Sequence, residues 1–250
     1  MQEAFEQASQ AEALRRSEKL KSSLLDAVTH DLRTPLTSIK ASVTTLLEDE
    51  KEKLLDEEGR EEFLEIINEE TDRLNEFIEG MVGIAKIEAN SLQLRKKTNA
   101  VEEIVNNAVE RAKNQIGSHK ISIKIEPNLP NIFVDAHSIA EVVFTLLDNA
   151  AKYSPKDSNI QISVRCASNE MIEIAVEDEG RGIPIENREL VFKKFFRISE
   201  EAIHTTGGGL GLGLAIAKGI IESQDGQIWI DDATEGFTTK FVFRIPIGNV

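Results

Sequence analysis

A helical hairpin that pairs into a four-helix bundle, followed by an α/β sandwich domain, is the fold class this 250-residue chain predicts. Apolar residues before about residue 90 recur at three-and-four spacing with no strand-like run, the sign of amphipathic helices. From residue 91 the rhythm changes to short alternating runs set between helical ones, the pattern of a sheet with helices packed on it. A chain of this length has room for two small domains with a core each.

The elements follow in order. A first helix runs from near residue 4 to about Leu47, with Leu25, Val28, Leu32, Leu36, Ile39, Val43 and Leu46 as its apolar stripe. Pro35 removes one helical hydrogen bond and bends the helix there. The charged run from Glu48 to Lys53, with Gly59, interrupts the pattern. A second helix places Phe63, Ile66, Ile67, Leu74, Phe77, Ile78, Met81, Val82 and Ile84 at helical spacing. Two such helices form only a hairpin with half-covered stripes; two hairpins close a four-helix bundle, so a homodimer is expected. Beyond residue 91, helices are predicted from about Ala100 to Gln115 and from Ser138 to Lys152. Ile121–Ile125 alternates as a strand, Ile160–Cys166 and Met171–Val176 as an antiparallel pair, and Gln227–Ile230 and Thr239–Ile245 as closing strands. Helices then lie on one face of the sheet.

Composition narrows the function. A formal net charge of −15 argues against a surface that tracks nucleic-acid phosphates. The single cysteine, Cys166, excludes an internal disulfide and suits a reducing cytosol. No apolar run approaches the roughly 20 residues of a membrane span, and no signal peptide opens the chain. Helix-like sequence instead begins at Met1 without a cap, so a preceding sensor domain is expected to be absent from this chain.

The segment Thr29-His30-Asp31-Leu32-Arg33-Thr34-Pro35-Leu36 sets a histidine, a carboxylate and, one turn on, a threonine into the first helix. At about 100° per residue, His30 and Thr34 lie roughly 160° from the centre of the apolar stripe. They are exposed neighbours on the solvent side, which excludes a core role for His30. Ala27, Thr37, Ser38, Ala41 and Thr45 share that outward face, and such small side chains let another protein approach closely. Further on come Leu146-Leu147-Asp148-Asn149-Ala150-Ala151-Lys152-Tyr153-Ser154-Pro155, Asp178-Glu179-Gly180-Arg181-Gly182, Phe192-Lys193-Lys194-Phe195-Phe196-Arg197, and a glycine run from Gly207 to Gly213 that opens into Leu214-Ala215-Ile216. In this order the motifs resemble the H-box, N-box, first glycine box, F-box and second glycine box of bacterial two-component sensor histidine kinases.

The resemblance implies a linker helix of coiled-coil character over residues 1–20, a dimerisation and histidine-phosphotransfer domain over 21–90, and a Bergerat-type ATP-binding domain over 91–250. It implies ATP and Mg²⁺ as cofactors, autophosphorylation of His30, transfer to an aspartate of a response-regulator receiver domain, and a cytoplasmic setting. A neutral imidazole is a nucleophile near pH 7. Asp31 either takes the ring proton or holds the reactive tautomer. Thr34 fits the pattern in which a hydroxyl orients water towards the receiver's aspartyl phosphate. Asn149 offers a hard oxygen to Mg²⁺, Lys152 a point charge to phosphate, and Tyr153 a flat surface to the nucleotide. Asp178 accepts from the adenine amine, with Gly180 and Gly182 letting backbone approach the base. Gly207, Gly208, Gly209, Leu210, Gly211 and Leu212 form the phosphate cradle at a helix N-terminus, and residues 199–206 the lid over ATP. Phe192, Phe195 and Phe196 are core or lid-anchoring aromatics, and Arg197 stabilises the transferring phosphate. The chain departs from the pattern at Thr145, where the family usually has asparagine. Thr145 cannot act as a base either, which favours phosphotransfer over the hydrolysis of related chaperone or topoisomerase ATPases. The remaining alternative is a catalytically silent scaffold that only docks partners.

Overall fold

The computed structural model describes residues 29, 32–50, 53–89, 91–168, 170–198 and 211–248. They divide into two compact units whose boundary lies between Glu79 and Gly80. Among them no helix is long and apolar enough to cross a membrane.

The first unit is built on α1, helical over residues 32–50, and α2, Glu57–Glu88. Asp49 organises the turn between them. Its carboxylate, 4% exposed, accepts the Leu55 N–H at 2.6 Å and Arg60 Nε at 2.6 Å. The predicted stripe of α1 is only partly covered. Leu36 of that stripe is 59% exposed, and Leu47 beside it 57%, whereas the polar Ser42 is closed off at 3%. The buried positions of α1 instead run along Pro35, Ser42 and Asp49, seven residues apart.

The second unit begins inside α2, at Gly80. Ile84, in the last turns of α2, packs with Leu212 and Ala215. Beyond it come β1 (Lys97–Asn99), α3 (Val101–Ile116), β2 (Lys120–Ile125), β3 (Ile132–Val134), α4 (Ala136–Tyr153), β4 (Asn159–Ser168), β5 (Met171–Asp178), α5 (Gly213–Ser223), β6 (Gln227–Asp231) and β7 (Thr239–Pro246). The five-stranded sheet has the order β2-β4-β5-β7-β6. β2 runs parallel to β4 and the other pairs are antiparallel. A separate two-stranded sheet, β1-β3, involves strands too short to show a period in sequence.

Register explains the layers. Ile162, Val176 and Phe241 lie across from one another, as do Val164, Ile174, Phe243 and Ile228. All of them enter one core with Ile104, Val105 and Ala108 of α3 and Val143, Leu146 and Leu147 of α4. The other face of the sheet is polar. Glu173 of β5 stands between Arg165 of β4 and Arg244 of β7, and each arginine bonds a different oxygen of that carboxylate at 2.7 and 2.8 Å. The Arg244 guanidinium also lies 4.9 Å from the Trp229 ring centroid. The N-cap of α4 is Asp135, whose side chain accepts Ser138 N–H at 3.0 Å and Arg95 N–H at 2.7 Å.

Candidate functional site

Asp178 ends β5 and is 3% exposed. Its Oδ1 accepts the Gly180 N–H at 2.8 Å and the Ser154 hydroxyl at 3.4 Å. Burial raises its carboxyl above the ordinary value of 3.8, against the opposing hydrogen bonds from Gly180, Thr239 and Ser154. The turn after it is clamped by Thr238, whose N–H donates to the Asp178 carbonyl at 2.8 Å. The Thr238 hydroxyl lies 3.1 Å from that carbonyl and 2.5 Å from the Gly180 carbonyl. Position 180 admits no side chain: a Cβ there would stand 2.6 Å from Asp178 Oδ1 and 2.9 Å from the Tyr153 carbonyl. Gly182 follows at φ 72°, so the backbone passes the carboxylate closely and turns away.

The end of α4 supplies the neighbouring wall. Asn149 and Thr145 are half-buried, one turn apart on the same helix. Thr145 faces α5, since its methyl would stand 3.1 Å from a Cβ built on Gly213. The Lys152 ammonium is paired with Asp148 at 2.7 Å, a contact it must exchange to reach a phosphate. Tyr153 is 39% exposed and closes α4 beside the turn that holds Asp178.

The glycine-rich side is described from Gly211 onward; Gly207, Gly208, Gly209, Leu210 and the lid segment lie outside the described residues. Gly211 has φ 68°, and a Cβ there would stand 2.9 Å from the Phe196 carbonyl. Its own carbonyl accepts the Phe195 N–H at 3.0 Å, so the two flanks of the run are tied together. Leu212 is the N-cap of α5 and gives it no side-chain cap; its side chain is 3% exposed and turned into the cluster with Ile84 and Ala215. Only its backbone is available to a ligand, along with the first amides of α5. The aromatics behave as anchors. Phe192 meets Phe241 edge-on at 6.3 Å, Phe195 packs on the Leu212 cluster and Phe196 on the main core. Arg197, next in the chain, is half-buried.

The second unit thus brings Asp178, Gly180, Gly182, Ser154 and Tyr153 together. His30 and Asp31 lie outside the described residues. Thr34 is described and exposed in the first unit, and Thr37 and Thr45 of the same helix fold their hydroxyls back onto the carbonyls of Arg33 and Ala41. Sequence reasoning missed Thr238 and Ser154. Ser154 sits inside a recognised motif and could have been found, whereas nothing local to Thr238 marks its bonds to a turn far back in the chain.

Residues 134–249 match the family described as histidine kinase-, DNA gyrase B- and HSP90-like ATPase. Residues 20–90 match the His kinase A phospho-acceptor domain. The chain is 35% identical over 229 residues to the sensor protein KdpD of Clostridium acetobutylicum, covering 92% of this chain and 25% of that protein. It is 30% identical over 224 residues to the sensor histidine kinase WalK of Bacillus subtilis, covering 88% and 35%. It therefore spans only a part of these relatives. The fold is shared with the histidine kinase AdeS of Acinetobacter baumannii at TM-score 0.66 and 22% identity, over 88% of this chain and 98% of that one. It is shared also with the histidine kinase ThkA, solved in complex with the response regulator protein TrrA, at TM-score 0.68 and 22% identity, over 94% and 64%.

Proposed function

Because the chain belongs to the two-component sensor histidine kinases, we propose that it binds Mg-ATP in its second unit, phosphorylates His30 and passes the phosphoryl group to a response-regulator aspartate. Asp178 carries the reading. A carboxylate that burial holds above its ordinary pKa, in a turn too tight for any side chain at position 180, is costly to keep without a ligand. An adenine amine donating to it would make up for its lost hydration.

The remaining parts fit a nucleotide. The uncapped N-terminus of α5, entered through Gly211, suits phosphate oxygens. Among the described residues no cluster of three or more His, Cys, Asp or Glu could hold a metal. The side-chain oxygen of Asn149 is the group that would hold Mg²⁺ beside the phosphates. The ion would neutralise charge developing on the phosphates. Thr145 can contribute only a hydroxyl, to the metal's water. In the transfer, an imidazole nitrogen of His30 bonds the γ-phosphorus while the bond to the bridging oxygen breaks and ADP leaves. The ring proton passes to Asp31, or Asp31 holds the tautomer that attacks.

The phospho-acceptor match at 20–90 favours a kinase over a chaperone or topoisomerase subunit. Leu36 and Leu47 on α1, and Leu64 and Ile78 on α2, are 54–59% exposed and separated by close to whole numbers of turns. These apolar faces favour a homodimer closed into a four-helix bundle. The shallow face of Thr34, Thr37, Ala41 and Thr45 favours docking of a receiver domain.

Incubation with γ-labelled ATP and Mg²⁺ tests the assignment. Acid-labile phosphate should appear on the wild-type chain and vanish in His30→Gln, which should still bind ADP. Label persisting in His30→Gln would place the acceptor elsewhere; no label on wild-type chain that binds ADP would support the scaffold instead.

A further inference from the structure

Arg181 is exposed, yet it has one defined contact. Its guanidinium carbon stands 5.3 Å from the centroid of the Tyr153 ring, within cation–π reach. The residue before Arg181 is held twice, by the Thr238 hydroxyl on the Gly180 carbonyl at 2.5 Å and by the Gly180 N–H on Asp178 Oδ1 at 2.8 Å. The Tyr153 backbone is held as the last residue of α4, and its carbonyl lies close to Gly180. Two anchored backbones leave only side-chain torsions to vary. The acid two residues before it, Glu179, is engaged by Asn159 at 2.5 Å, and among the described residues Arg181 makes no ion pair. The Tyr153 ring is the neighbour its guanidinium meets at cation–π distance. Tyr153 in turn adjoins Ser154, whose hydroxyl is directed at Asp178.

We propose that Arg181 is a positioning residue that holds the Tyr153 ring as a fixed wall of the base pocket and acts on the nucleotide through that ring. This rests on the nucleotide reading of the Asp178 site. An exposed ring free to rotate loses that freedom when a base packs against it, and that loss weakens binding. A cation lying over one face removes part of the freedom beforehand. The benefit belongs to the base and not to the phosphates.

Calorimetric titration of the full chain with ADP and with tripolyphosphate separates the possibilities. Arg181→Ala should weaken ADP about two- to fivefold and leave tripolyphosphate unchanged, and Arg181→Lys should recover part of the loss. In a Tyr153→Leu background Arg181→Ala should cost nothing further, whereas in Tyr153→Phe, which keeps a ring, the cost should persist. Tyr153 is the chain's only tyrosine, so ¹³C-tyrosine labelling gives one ring signal set. That set should shift in Arg181→Ala without nucleotide. An equal ADP loss in the Tyr153→Leu background, or weaker tripolyphosphate binding, would make Arg181 a phosphate ligand and overturn the proposal. So would an unshifted ring signal or unchanged ADP affinity. Wild-type chain that bound no ADP would instead remove the nucleotide reading itself.

Discussion

A carboxylate and a hydroxyl carry the sharpest consequences at the scale of single residues. Burial holds Asp178 above 3.8 in the folded chain, so the folded state binds its proton more tightly than the unfolded one. Asp178 therefore opposes folding at neutral pH, and that opposition fades as pH falls through its raised value. In the proposed adenine contact the ionised carboxylate is the stronger acceptor, so ADP affinity should decline on acidification, beginning above the range of an ordinary aspartate. Asp178→Asn should lose this pH dependence and bind ADP about tenfold more weakly or worse, with no loss of thermal stability at neutral pH. Titration calorimetry across pH, with a melting curve, checks both; unchanged affinity would remove Asp178 from the site. Thr34 is exposed on α1 without contributing to a core. Thr34→Ala should keep autophosphorylation and transfer but slow the decay of phosphorylated regulator by tenfold or so, about 1.4 kcal/mol of activation free energy. Equal decay rates would leave Thr34 an ordinary surface residue.

Strands β4, β5 and β7 are joined across their polar face by Glu173. Burial alone would raise its carboxyl, but hydrogen bonds from Arg244 and Arg165 outweigh that and hold it below the ordinary 4.5. A depressed carboxylate stabilises the fold above its unfolded value, and that contribution disappears as pH falls through the lowered one. Both arginines are substantially exposed, at 62% and 42%, so solvent screens much of the attraction. Glu173→Gln should cost on the order of 1 kcal/mol at pH 7 and flatten the loss of stability below pH 4.5. Urea denaturation at neutral and acidic pH measures it. A cost that stayed the same at both would mean that the charge contributes nothing.

For the molecule as a whole, the proposed homodimer would rest on the exposed apolar positions of the hairpin. Leu64 and Ile78, 57% and 54% exposed, lie on α2 roughly four turns apart, a spacing that continues one face. Leu64→Glu with Ile78→Glu would set two charges on the seam of a four-helix bundle and should convert the dimer to monomer, as read by sedimentation equilibrium. ADP binding, which we propose for the second unit, should survive. A double variant that sedimented as a dimer would place the interface on another face.

Much of this was legible before any coordinates. Helical period alone located α1 to α4, because three-and-four spacing is written in residues a turn apart, and the glycine run marked the start of α5. Alternation located β2, β4, β5, β6 and β7 for the same local reason. The motif residues Asp178, Gly180 and Gly211 were legible too, since a tight turn or a positive φ constrains residue type at the position itself. What tertiary structure decided involves partners distant in the chain. β2 pairs in parallel with β4, which neither strand's period can specify. Leu36 is exposed and Ser42 buried because coverage depends on where α2 lies. Thr238 clamps the Asp178 turn, and the last turns of α2 pack with α5. Periodicity states which face of an element is apolar; only the assembled chain decides which neighbour meets that face and which polar group answers which.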